Sequence, residues 1–238
     1  MKKKSIRICV IAILLLNFIS IRIADAESRT IYVDDDNTNG PWLGTLEYPF
    51  QHIQDGIDAA ENNDTVYVFS GTYYETLNIT KPINLIGENK ADTIINCIHN
   101  FWYCIIHLKA SYINIDNFTI ANGYIRFPNC IGIYSNEYSK NAYINITNCI
   151  ITNNGCGIFF ANATNSSINN CTIYHHWVCG CAIQGSSSNI NISFCRIYDT
   201  FGGSSGGSPE WNGINIQICG ELGYNIYQTI KIFKYYII

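Results

Sequence analysis

His175, His176, Cys179 and Cys181 are the densest group of soft-metal ligands in the chain, with the imidazole and thiolate donors that copper or zinc accepts. Strand alternation would put Cys179 and Cys181 on one face, with His175 or His176 reaching the same side. No second ligand pair stands at metal-binding spacing, so packing between coils and loops accounts for the group more simply. A harder cation is suggested upstream. Asp35, Asn37 and Asn39 occupy positions one, three and five of a calcium loop, with Gly40 at the sharp turn. The closing acid is out of register, because position twelve is Leu46 and Glu47 follows it, and an ordinary acidic turn has the same composition. Trp211 and the pair Trp102-Tyr103 offer flat faces for a sugar ring, although aromatic residues also bury readily in cores and caps. Arg196 follows Cys195, so alternation points it outward, and Asp199 three residues later belongs to the same neighbourhood.

The elements that must position these residues are repeats. One phrase recurs as Asn117-Phe118-Thr119-Ile120, Asn148-Cys149-Ile150-Ile151, Asn170-Cys171-Thr172-Ile173 and Phe194-Cys195-Arg196-Ile197, with steps of 31, 22 and 24 residues. A second runs in counterpoint as Gly132-Ile133, Gly157-Ile158, Ala182-Ile183 and Gly213-Ile214, with steps of 25, 25 and 31. Ile113-Asn114-Ile115, Ile144-Asn145-Ile146 and Ile190-Asn191-Ile192 alternate apolar and polar, the period of a half-buried strand. Such short strands bury their inner face only by stacking, and coils of this length predict an all-β parallel β-helix solenoid. Asn and Ile are abundant, as turns and buried strands require. Cys149, Cys171 and Cys195 share one repeat position. Stacked coils lie about 4.8 Å apart, which suits either a disulfide between neighbours or a ladder of free thiols.

Residues 1–26 read as a signal peptide. Lys2, Lys3, Lys4 and Arg7 precede an apolar run over 8–21, and Ala24-Asp25-Ala26 gives the small-x-small cleavage pattern. The run is shorter than the roughly 20 residues of a spanning helix, so no membrane span is expected after cleavage. An exported chain is expected to be secreted or held at the cell surface. There the ten cysteines beyond the leader can pair, and Asn-x-Ser/Thr sequons such as Asn78, Asn145 and Asn191 can carry glycans. Net charge is −4 with no basic block beyond the leader, which argues against a nucleic-acid partner. Residues 27–96 differ from the repeats. Strands are predicted at 30–33, 65–68, 77–79 and 83–86, and an amphipathic helix over 50–61 carries Phe50, Ile53, Ile57 and Ala60 on one face. That helix would cap the open end of the solenoid. The repeats then occupy 97–222. An apolar tail follows over 223–238, and the glycine- and serine-rich run at 202–209 reads as a loop between coils.

Gly44-Thr45-Leu46-Glu47-Tyr48-Pro49-Phe50, Ile53-Gln54-Asp55-Gly56-Ile57, Asp64-Thr65-Val66, Gly71-Thr72-Tyr73 and Leu85-Ile86-Gly87 resemble the N-terminal region of right-handed parallel β-helix proteins of the pectin lyase-like superfamily. With the Asn-Cys-x-Ile repeats, the chain resembles the surface β-helix proteins of archaea and some bacteria. The resemblance implies the fold and leaves activity open, since one architecture hosts many functions. Lyases of the superfamily hold calcium with clustered carboxylates and use an Arg or Lys as base, and hydrolases need a carboxylate pair. The repeats are poor in both, and Arg196 with Asp199 is the best lyase-like couple. The expectation is therefore a non-catalytic interaction module that binds a polysaccharide or cell-envelope glycan. It needs no cofactor, with calcium at the Asp35 loop the one metal candidate. A lyase or glycoside hydrolase acting on acidic polysaccharide is the alternative.

Overall fold

A computed structural model describes residues 27–97, 104–123, 130–135 and 141–200, with side chains described through Tyr198, and the backbone of two further strands, Ile214–Ile216 and Ile230–Phe233. All pairing between strands is parallel, and it builds three sheets in which each strand lies on its counterpart from the preceding coil. Sheet A stacks Thr30–Val33, Thr65–Val68, Asn84–Gly87, Ile113–Asp116, Ile144–Thr147, Thr164–Asn169, Ser188–Ser193 and Ile230–Phe233. Sheet B stacks Gly71–Tyr73, Thr93–Asn96, Thr119–Ala121, Ile150–Thr152, Thr172–His176 and Arg196–Thr200. Sheet C stacks Leu77–Ile79, Cys104–Leu108, Ile131–Ser135, Cys156–Ala161, Cys179–Gln184 and Ile214–Ile216. The all-β solenoid expected from the repeats is the observed architecture.

Alternation explains the interior. Ile113, Ile115, Ile144 and Ile146 of sheet A, Ile120, Ile151 and Ile173 of sheet B, and Ile106, Ile133 and Ile158 of sheet C are all fully buried in one continuous core. Each such side chain contributes about 1.5–3 kcal/mol relative to exposure. Corners are made by left-handed residues. Among the described residues, nine of the thirteen non-glycine residues at positive φ are asparagine, so the Asn content has a structural cause in bends that other side chains resist. Asn117, Asn148 and Asn170 turn the chain from sheet A to sheet B, and Phe194 takes the same place one coil later.

The pairing of sheet B follows the first repeated phrase, since Ile120, Ile151, Ile173 and Ile197 lie in one register. The second phrase is corrected. Ile133 pairs with Ile158 as expected, but Ile158 pairs with Cys181 rather than Ile183, and Ile183 pairs with Phe160. A slip of two keeps every residue on its face, so alternation alone does not detect it. Backbone contact does: a Cβ on Gly132 would lie 2.6 Å from the Gly157 carbonyl oxygen, and one on Gly157 would strike that of Gly180.

Helix α1 spans Ile53–Ala59, shorter than the expected 50–61. Phe50 instead forms a bridge with Val33, and its N–H and C=O bond to Tyr32 and Asp34, covering the free edge of the first strand. The Glu75 carboxylate starts the helix, accepting from the N–H groups of Ile53 (2.8 Å) and Gln54 (3.0 Å). Ile53, Gly56 and Ile57 are buried, and a Cβ on Gly56 would lie 2.8 Å from Val33 and 3.1 Å from Val66, so the helix closes over the interior side chains of the first two strands of sheet A. Beneath it Asp64 accepts from Arg29 through its backbone N–H (2.9 Å), Nε (3.1 Å) and Nη2 (2.9 Å), and from the Glu61 N–H (2.8 Å). Burial opposes charge on Asp64, but these donors outweigh it and hold the carboxyl below its usual range.

Candidate functional site

Arg196 and Tyr198 stand on the outer face of sheet B, and the register places Thr172 beside Arg196 and Tyr174 beside Tyr198. The two tyrosine rings stack at 5.2 Å with 5° between their planes, the Arg196 guanidinium lies 5.7 Å from the Tyr198 centroid, and His175 tilts against Tyr174 at 4.9 Å. Stacked rings hide their faces from solvent and present their edges. This strip therefore offers phenolic hydroxyls and a planar cation, groups suited to the hydroxyls and carboxylate of an acidic sugar. Arg196 is exposed, as alternation predicts. Asp199 lies in the same strand, and its side chain is outside the described residues, as are Trp102, Tyr103, Trp211, the leader over 1–26 and the loop over 202–209.

The soft-metal ligands are dispersed. Cys181 points into the main core, whereas Cys179 belongs to a separate apolar cluster with Cys104, Ile131, Tyr134, Cys156, Ala161 and Ala182. The two cysteines thus do not share a face. The strand is irregular where the glycines stack, and pairing passes directly from Cys156–Cys179 to Ile158–Cys181. His176 is fully buried, with Nε2 3.1 Å from the Ile151 carbonyl and Nδ1 3.4 Å from the Asn154 N–H, which is the neutral tautomer protonated at Nε2. Burial pulls its pKa down to about 4. Asn154, equally buried, donates to the Ile120 carbonyl (3.3 Å) and accepts from the Gly123 N–H (2.9 Å). Asn154 and His176 therefore form an internal polar column that ties adjacent coils. Sequence reading placed His176 only among the soft-metal candidates and did not single out Asn154, and the glycines beside them were the available signal. A Cβ on Gly132 would lie 3.0 Å from Asn154, and one on Gly157 would lie 2.8 Å from His176.

The ladder thiols each reach a carbonyl two residues back: Cys149 to Thr147 (3.0 Å), Cys171 to Asn169 (3.3 Å) and Cys195 to Ser193 (3.3 Å). Phe118 fills the same column one coil earlier, fully buried. Cys97 differs from these in being half-buried. A hydrogen bond from Cys130 brings its pKa down to about 7 and pushes that of Cys130 up.

In the acidic turn, the Asp35 Oδ2 accepts from the Thr72 N–H (3.0 Å), and Asp35 Oδ1 is buried without a protein partner. Asn37 donates its amide to the carbonyls of Pro49 (2.7 Å) and Pro41 (3.4 Å), and Asn39 is exposed. One carboxylate oxygen is thus available to a cation. Among the described residues no three His, Cys, Asp or Glu side chains converge on an ion position.

A family profile described as right handed beta helix region matches residues 83–231. The chain belongs to the right-handed β-helix family. Among solved structures this β-helix is similar to pectate lyase Pel9A (13% identity, TM-score 0.58, covering 73% of this chain and 48% of that one). It is also similar to pectin methylesterase PemA from Erwinia chrysanthemi (15%, 0.57, 86% and 66%) and to the lacto-N-biosidase from Eubacterium ramulus (14%, 0.62, 84% and 44%). The β-helix spans between 44% and 66% of the length of these structures, and at such identity the likeness is one of fold. Among curated proteins none matches the chain. Among the described residues no helix is long and apolar enough to cross a membrane.

Proposed function

We propose that this chain is an exported β-helix, secreted or held at the cell surface, that binds an acidic polysaccharide without cleaving it. The observation that carries the reading is the outward strip of exposed Arg196 with half-buried Tyr198 and Tyr174. The guanidinium is the geometry that pairs with a carboxylate through two hydrogen bonds, and the phenol edges beside it suit sugar hydroxyls. Similar folds named as pectate lyase and pectin methylesterase support a polysaccharide as the class of ligand.

The test is a glycan array on the purified chain, with and without Ca²⁺, followed by mass analysis of the bound polysaccharide. Saturable binding to uronic-acid polymers with the sugar intact, weakened at least about tenfold by Arg196→Ala, is the expected result, because a charge-assisted bidentate pair contributes roughly 1.5–3 kcal/mol. Equal binding to neutral glycans would sink the reading. Ca²⁺ dependence would assign a role to Asp35, Asn37 and Asn39. Release of unsaturated or reducing ends would favour the second reading, cleavage by a lyase or hydrolase, with Arg196 and Asp199 the first residues to substitute.

A further inference from the structure

We infer that Cys156 and Cys179 are the site of a disulfide that staples two successive coils across the outer side of sheet C. The two residues are direct register partners on adjacent parallel strands. Neighbouring strands put their Cα atoms about 4.8 Å apart, inside the roughly 4.4–6.8 Å that a disulfide spans. Their sulfur atoms lie 2.8 Å from one another, closer than two sulfurs in ordinary contact and short of bonded only by a small rotation of each side chain.

Among the described residues no other cysteine is a register partner of either one, and Cys130, with Cys97 packed against it, belongs to the main core. Ile131 occupies the same column between Cys104 and Cys156, so Cys104 is a full coil further away. Cys181 points into the core on the other face. Cys149, Cys171 and Cys195 stand at the corner between sheets A and B, each settled on a backbone carbonyl. Both members of the pair are buried, at 5% and 4% exposure, and burial pushes the Cys156 thiol well above its usual range. Exchange also needs access to a sulfur, and with both buried the folded pair reacts slowly, so the bond forms while the coil is being laid down.

The chemistry is a thiol–disulfide exchange with a disulfide-bearing donor. Two S–H bonds break, one S–S bond forms, and the two electrons and two protons pass to the donor, whose own disulfide becomes two thiols. Oxidised glutathione serves as that donor in the test. The full chain is refolded from denaturant in a mixture of reduced and oxidised glutathione, blocked with a maleimide, and digested without reductant. The expected product is a linked peptide pair containing Cys156 and Cys179, two hydrogens lighter than the separate peptides. The same glutathione mixture added to the already folded, reduced chain should form the link far more slowly. A second measurement compares melting temperatures. The oxidised wild type should melt higher than the reduced wild type, and the double variant Cys156→Ala, Cys179→Ala should lose the difference. Maleimide on both cysteines after denaturation, a link from either to another cysteine, or no rise in melting temperature on oxidation would each overturn the proposal.

Discussion

Residues 29–88 satisfy buried polar groups with individual partners, Asp35 Oδ1 excepted. Asp64 gathers Arg29 and the Glu61 N–H, Glu75 holds the start of α1, and the Tyr73 hydroxyl donates to the Phe69 carbonyl at 3.0 Å. Every ion pair between described residues lies in this part. The coils beyond it work by translation. Asn114 donates to Asn84 (2.6 Å), Asn145 to Asn114 (2.8 Å), and Ser167 to Asn145 (2.8 Å), each coil repeating on its predecessor what the predecessor did. The difference follows from position. A terminal coil has only one neighbour, so its open side needs partners found nowhere else, whereas an internal coil inherits its partners from the coil below.

Substitutions that deny the stack its close approach should have the largest effect. Gly157→Ala places a methyl group against the Gly180 carbonyl and within 2.8 Å of His176, and a loss of about 4 kcal/mol is expected in urea unfolding. In the cap, Asp64→Ala should cost about 3 kcal/mol, since it leaves the Arg29 and Glu61 donors without their acceptor. A cost near zero would mean that the cap is not part of the cooperative unit.

Acid should separate the two regions. His176 is neutral in the fold with its pKa drawn down to about 4, so its contribution is complete above the unfolded value of about 6.5. That contribution falls as pH drops towards 4, by up to about 3 kcal/mol, because the unfolded chain binds the extra proton first. Asp64 is held below its unfolded value of about 3.9, so its contribution persists to that pH and fails only beneath it. Stability measured against pH should show two steps in that order, and His176→Gln should remove the upper one. The smallest effect is a gain. Phe194 sits at φ 55° and is 65% exposed in a column otherwise made of asparagine, so Phe194→Asn should stabilise by about 1 kcal/mol in the same unfolding measurement.

The stack was legible in the sequence because its core is translational. Ile120, Ile151, Ile173 and Ile197 could be aligned by eye and pair as aligned. Sheet C was harder, since a two-residue slip between Ile158 and Ile183 preserves alternation and only the contact between Gly157 and Gly180 fixes the pairing. The buried Asn154 and His176 were not legible as a pair, because their role exists only through groups in neighbouring coils. Arg196 could be placed outward from its distance to Cys195, but the stack of Tyr198 on Tyr174 depends on a register that no local pattern states. The partnership of Cys156 and Cys179 was hidden for the same reason, since aligning Gly157-Ile158 with Ala182-Ile183 sets Cys156 opposite Cys181 instead.

The amide rows also have a direction. Asn145, Asn114 and Asn84 each donate towards the N-terminal end, as do Asn122 to Asn96, Asn170 to Asn148, Asn148 to Asp116, and Asn189 to Asn165. Aligned amides polarise one another, so each row behaves as a small dipole running along the solenoid. Its oxygen end faces the coil that comes next in the chain. Each coil therefore offers acceptors to the coil that follows it, which meets them where it supplies an amide or hydroxyl at the matching place. The solenoid is polar in the sense that a filament is polar, with one end that offers a template and one that has already been answered.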